Sequence, residues 1–227
     1  DATDATVFST SAANFTIKGS LTVTAPNGGE AWGVGTVKSI TWTKTGTMVT
    51  VRLDYSIDGG LTYPNVISLS TDAATGSYAW TIPDNINSTV KVKVTNNADT
   101  TVSDVSDLNF KITGVLTLTS PNGGERWGVN TSQNITWTKS GSMSNVRIDY
   151  STNSGGSYPN TIATAQPAGT TTGSYLWSIP NGAVSDFVRV KVISDQPADL
   201  QVEDASDADF KVTASIRLIV IYQVFNC

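Results

Sequence analysis

Apolar and polar residues alternate one for one along much of this chain. Val49, Val51, Leu53 and Tyr55 are separated by Thr50, Arg52 and Asp54. A period of two puts four large side chains on one face of an extended strand. Ile40 and Trp42 repeat the pattern, as do Tyr78, Trp80 and Ile82, and then Val90, Val92 and Val94. Glycine, proline, asparagine and aspartate punctuate these runs, and no helical periodicity competes with them. Strands apolar on one face only belong to antiparallel sheets with one wet side. About seven short strands in about 95 residues is the count of an immunoglobulin-like or fibronectin-like sandwich.

The pattern occurs twice. PNGGEAWGVG at Pro26–Gly35 returns as PNGGERWGVN at Pro121–Asn130, and VRLDYS at Val51–Ser56 returns as VRIDYS at Val146–Ser151. GSYAWTIP answers GSYLWSIP, and VSDVSDLNFKIT answers VEDASDADFKVT. A fixed period of domain size marks tandem modules. The expected fold is all-β: two immunoglobulin/fibronectin-like sandwiches, at residues 20–113 and 114–213, with orphan strands at both termini. Residues 1–19, with Val7, Phe15 and Ile17, read as the last strand of a module, since Phe15 and Ile17 stand where Phe110 and Ile112 do. Residues 214–227 read as the first strand of another.

That last segment differs from the other strands. Ile216, Leu218, Val220, Tyr222 and Val224 form one face, and Ile219, Ile221 and Phe225 form the other. A strand apolar on both faces asks to be covered on both, and left alone it is an open edge. The expectation is donation of this strand to a neighbouring copy, beside that copy's Val7–Ile17 segment. Head-to-tail contact of this kind grows a filament. Between the modules only Gly114 separates two strands, so a stiff rod is expected.

Composition narrows the chemistry. With 15% charged residues and a net charge of −5, the chain lacks the basic stripe of a nucleic-acid binder. It contains no histidine, the commonest general base and metal ligand. Its one cysteine, Cys227, allows neither an intrachain disulfide nor a thiolate metal site. No apolar run approaches the roughly 20 residues of a spanning helix. No cofactor is expected.

Several motifs have both a structural and a functional reading. Ser56, Asp58, Gly60, Thr62 and Tyr63 match an Asp-box turn, whose short side chains cap backbone amides. The second copy has Asn153 and reads as carrying an extra residue before Gly156. Asp104 and Asp107, with Asp204 and Asp207, lie just before each module's last strand, either as calcium ligands bridging modules or as caps for loop amides. Trp32 and Trp127, with Tyr63 and Tyr158, are the candidates for stacking on a polysaccharide. The six tryptophans divide equally between the modules, as core duty predicts. The carboxylates do not pair across a cleft as glycoside hydrolysis needs, so no enzyme is expected. Asn14, Asn87, Asn130 and Asn134 open Asn-x-Ser/Thr triplets and are glycosylation candidates.

Taken together, PNGGExW, ITW, the V-x-[LI]-D-Y-S run, G-x-Y-x-W-x-I-P and V-x-D-x-S-D-x-x-F resemble the repeat of the Ser/Thr-rich GPI-anchored membrane protein family. That family is related to yeast proteins of cell-wall glucan assembly, and its prokaryotic members occur as tandem repeats in secreted or cell-surface proteins. The resemblance implies an immunoglobulin-like sandwich, an extracellular address, and partners among copies of the chain or cell-wall polysaccharide. It implies no catalytic residue.

Overall fold

In each half of the chain two sheets face one another across a core of inward-pointing side chains. The computed structural model describes residues 10–197 and 200–214. Module 1 contains β1 (Ser20–Ala25), β2 (Ala31–Gly33), β3 (Val37–Thr45), β4 (Thr50–Ser56), β5 (Asn65–Asp72), β6 (Ser77–Thr81), β7 (Asn87–Asn96), β8 (Ser103–Val105) and β9 (Phe110–Thr113). Module 2 repeats them as β10 (Val115–Ser120), β11 (Arg126–Gly128), β12 (Ser132–Ser140), β13 (Asn145–Ser151), β14 (Asn160–Pro167), β15 (Thr172–Ser178), β16 (Ser185–Ser194), β17 (Glu203–Ala205) and β18 (Phe210–Thr213).

In module 1 a three-stranded sheet runs β1-β3-β6, and the facing sheet runs β2-β9-β7-β4-β5 with β8 also on β7. Module 2 has the same order. All pairs are antiparallel except β2 with β9 and β11 with β18. This is the expected immunoglobulin/fibronectin-like sandwich. Nine strands replace the expected seven in each module, because two motifs split strands. The PNGGE turn sends the first strand from one sheet to the other, and a bulge at Ser106-Asp107, repeated at Ser206-Asp207, divides the last strand into β8 and β9, both paired to β7.

Alternation translates directly into burial. Ile40, Val51, Leu53, Val90, Val92, Val94, Phe110 and Ile112 are fully buried, as are most of their counterparts in module 2. Each such side chain contributes about 1.5–3 kcal/mol through burial. Trp32 sits edge-on to Trp80 at 6.2 Å and tilted on Phe110 at 5.1 Å; Trp127 repeats this with Trp177 and Phe210 at 6.2 and 5.0 Å. Trp42 and Trp137 donate their indole N–H to the carbonyls of Ala73 and Ala168.

Two expectations change. Val49 precedes β4 and is 74% exposed, so it does not share the inward face of Val51, Leu53 and Tyr55. Residues 10–19 form no strand, and Phe15 and Ile17 are 75% and 86% exposed, since both modules already hold a last strand of their own. Val7 and the segment carrying Ile216, Leu218, Ile219, Val220, Ile221, Tyr222, Val224 and Phe225 lie outside the described residues.

Candidate functional site

The two repeated motifs of each module meet in space. Asp104 accepts from the backbone N–H of Val23 at 2.8 Å, and Asp107 accepts from the Asn27 amide at 2.7 Å while its own N–H donates to Asn27 Oδ1. Between them Ser106, fully buried, donates to the Pro26 carbonyl at 2.7 Å and accepts from Val92 N at 3.0 Å. Asp204, Ser206 and Asp207 repeat every one of these bonds with Leu118, Pro121, Asn122 and Val190. The bulge thus staples the PNGGE turn to the opposite sheet. The four aspartates proposed for calcium spend carboxylate oxygens on this staple, and among the described residues no three acidic or thiol side chains converge.

Glu30 completes the turn, accepting from Asn27 N and Gly28 N at 2.8 Å each. Burial pushes its pKa up, yet the amides of Asn27, Glu30 and Gly28 together outweigh that and hold it below the usual carboxylate range.

The Asp-box acts as a cap in both copies. Asp58 accepts from the Ser56 hydroxyl and the Thr62 hydroxyl at 2.5 Å each, and Ser56 Oγ accepts from Gly60 N at 2.8 Å. The Ser56 hydroxyl, then Thr62, holds the Asp58 carboxyl far below its ordinary range. In module 2 Ser151, Asn153 and Ser157 make the same turn, and Gly155 donates to Ser151 Oγ as Gly60 does to Ser56. There is therefore no extra residue: Gly155 takes the place of Gly60, and Ser154, with a φ of 58°, takes the place of Gly59.

The outer face of the larger sheet carries a repeated charged set. Arg52 Nε donates to both oxygens of buried Asp54 at 3.0 and 2.8 Å, and Arg147 Nε donates to Asp149 Oδ2 alone at 2.8 Å, the other oxygen accepting from the Thr161 hydroxyl. Lys93 lies 5.6 Å from the centre of the Tyr63 ring and Lys191 lies 4.7 Å from Tyr158. The lysines thus cover the tyrosines put forward for stacking on sugar, and Trp32 and Trp127 are buried in the cores. Of the sequon asparagines, Asn14, Asn130 and Asn134 are exposed, whereas Asn87 is half-buried and accepts from both the N–H and the hydroxyl of Thr89.

The joint between modules is the contact that sequence reasoning missed. Only Gly114 lies between β9 and β10. Asp84 of module 1 accepts from the backbone N–H of Ser142 at 2.9 Å and from its hydroxyl at 2.6 Å. Ile86 packs against both hydrophobic cores. A Cβ at Gly141 would lie 3.1 Å from Ile86 Cδ1 and 3.2 Å from Val34 Cγ2, so glycine permits the approach as well as the φ of 96°. No periodicity marks Asp84 or Ser142; their places in the other copies are Asn181 and Thr47.

No protein-family model matches the chain, and no curated protein matches it. Among solved structures, the chain is similar to the fibronectin(III)-like modules of Clostridium thermocellum CbhA, at 16% identity over 90% of this chain and 100% of that one, with a TM-score of 0.32. It is also similar to the N-terminal four Ig domains of Dscam1 isoform 4.44, at 10% identity over 88% of this chain and 47% of that one, with a TM-score of 0.33. A third is the titin z1z2 pair solved in complex with telethonin, at 11% identity over 89% of this chain and 100% of that one, with a TM-score of 0.29.

Proposed function

We propose that the chain is a non-catalytic structural protein of the extracellular surface, whose tandem modules are stiff segments of a fibre joined head to tail by strand exchange. The observation that carries the reading is the joint. One linking residue, a carboxylate clamped on Ser142 and an isoleucine shared by two cores leave the modules little freedom to swing. Stiff projection is what a spacer needs, whereas a mobile pair would be wasted on it.

Strand exchange draws its support from the first segment. Phe15 and Ile17 follow the pattern of Phe110 and Ile112, which are wholly buried, yet both stand exposed. Large exposed apolar residues with strand periodicity favour pairing with another chain. The extracellular placement rests on the resemblance to the Ser/Thr-rich surface repeat.

The test is deletion of Ile216–Cys227 followed by size exclusion and electron microscopy at high concentration. Filaments of the intact chain that vanish on trimming support the reading. An intact chain that stays monomeric, or a trimmed one that still polymerises, overturns it.

A further inference from the structure

The two modules differ where a loop closes the gap between their sheets. In module 1 the loop Asp84–Ile86 links β6 to β7, and Asn85 Nδ2 donates to the Tyr55 hydroxyl at 2.5 Å. In module 2 the equivalent loop, Asn181–Val184, is one residue longer and turns through a short 3-10 segment. Glycine 182 follows Asn181 as Asn85 follows Asp84, so the plugging amide is gone. Among the described residues nothing hydrogen-bonds the Tyr150 hydroxyl. A cleft of about 390 Å³ opens there between the edge strands β14 and β15.

We propose that this cleft is a binding site for a neutral saccharide unit. Its size lies at the lower end of small-ligand sites. Tyr150, Asn160, Tyr175 and Ser178 line it with hydroxyl and amide groups, and Ile162 and Trp177 supply apolar surface. No charged side chain lines it. A charged ligand would lose hydration there without an ionic partner, whereas a sugar ring exchanges its water for hydroxyl and amide partners while its C–H faces meet the apolar wall. Tyr150 is held for this by its ring, packed on Trp177 at 5.2 Å, which leaves the hydroxyl as the group that reads the ligand. This site is independent of fibre assembly.

The test is an NMR titration of the isotope-labelled full chain with glucose, galactose and their β-linked disaccharides, with glucuronate and glucosamine as charged controls. Saturable shifts are expected at Tyr150, Ile162, Tyr175 and the Trp177 indole N–H, with module 1 silent. Tyr150→Phe keeps the ring and should weaken binding about tenfold, the loss of one hydrogen bond. Gly182→Asn, at a position where a Cβ meets nothing within 4 Å, should replace the plug and abolish binding. Asn85→Gly should open a second site in module 1. The proposal is overturned if no sugar shifts these residues at tens of millimolar, if the charged controls bind more tightly than the neutral sugars, or if Gly182→Asn leaves the titration unchanged.

Discussion

Asp84 and Ser142, 58 residues apart in sequence, are joined by two hydrogen bonds that cross from one module to the next. The carboxylate takes a backbone N–H and a hydroxyl of the same residue, which fixes direction as well as distance. With Gly141 bringing the loop against Ile86 and Val34, this turns a one-residue linker into a clamped joint. Asp84→Ala should release the clamp at a cost of at most about 1 kcal/mol, because the carboxylate is exposed. The effect should appear in geometry rather than stability. Spin labels placed on the two modules should report a broadened distance distribution, while the unfolding temperature hardly moves. An unchanged distribution would show that the apolar contacts alone set the angle.

Gly114 is the other half of that joint. A Cβ there would lie 2.6 Å from Met143 Sδ and 2.9 Å from its Cε. Those atoms end a flexible side chain that can give way, so Gly114→Ala should destabilise module 2 by only about 1 kcal/mol through overpacking. Shortening the neighbour should relieve it: Gly114→Ala with Met143→Ala should cost less than the sum of the two single changes. Denaturant unfolding of the four proteins measures the coupling, and strict additivity would mean that the glycine serves another purpose.

The staple at the bulge should be the most sensitive polar site in each module. Ser106→Ala leaves the Pro26 carbonyl and the Val92 N–H without their buried partner, so a loss of about 1–3 kcal/mol is expected. Ser206→Ala should cost module 2 a similar amount. Hydrogen exchange at Val92 and Val190 gives a residue-level check, since these amides should lose protection in their own variant and keep it in the other.

These sites show what alternation can and cannot reveal. It located the inward faces of β3, β4, β6 and β7 because burial of Ile40, Leu53, Trp80 and Val92 follows from period two alone. It carried one residue too far at Val49, because periodicity does not mark where a strand begins; the polar Ser144 at the same place in the second copy is the clue that was available. Asp104 was legible as a cap or a ligand but not assignable, since its partner Val23 lies 81 residues away and is reached only once the sheets close. The Asp84–Ser142 bond was illegible for the same reason. The cleft beside Tyr150 left a faint trace in the extra loop residue before Ser185, whose meaning depends on Asn85 having a phenol to meet.

Acid should separate the two Asp-box turns. Asp58 is held far below its ordinary pKa by the Ser56 hydroxyl first and by Thr62 next, whereas Asn153 at the same place does not titrate. A carboxylate whose folded-state pKa is depressed stabilises the fold above its unfolded value of about 3.9, and that contribution drains away as pH falls toward the folded value. Asp58→Asn keeps a side-chain oxygen for the turn, as Asn153 does, and removes the proton dependence. Between neutral pH and about pH 4 the variant should be less stable than the parent. Below that the difference should shrink steadily, because only the parent still has stability to lose. Urea midpoints for the module 1 transition across the acid range test this. A difference that stays constant down to the lowest pH would mean that the two hydroxyl bonds to Asp58 do not bias its ionisation.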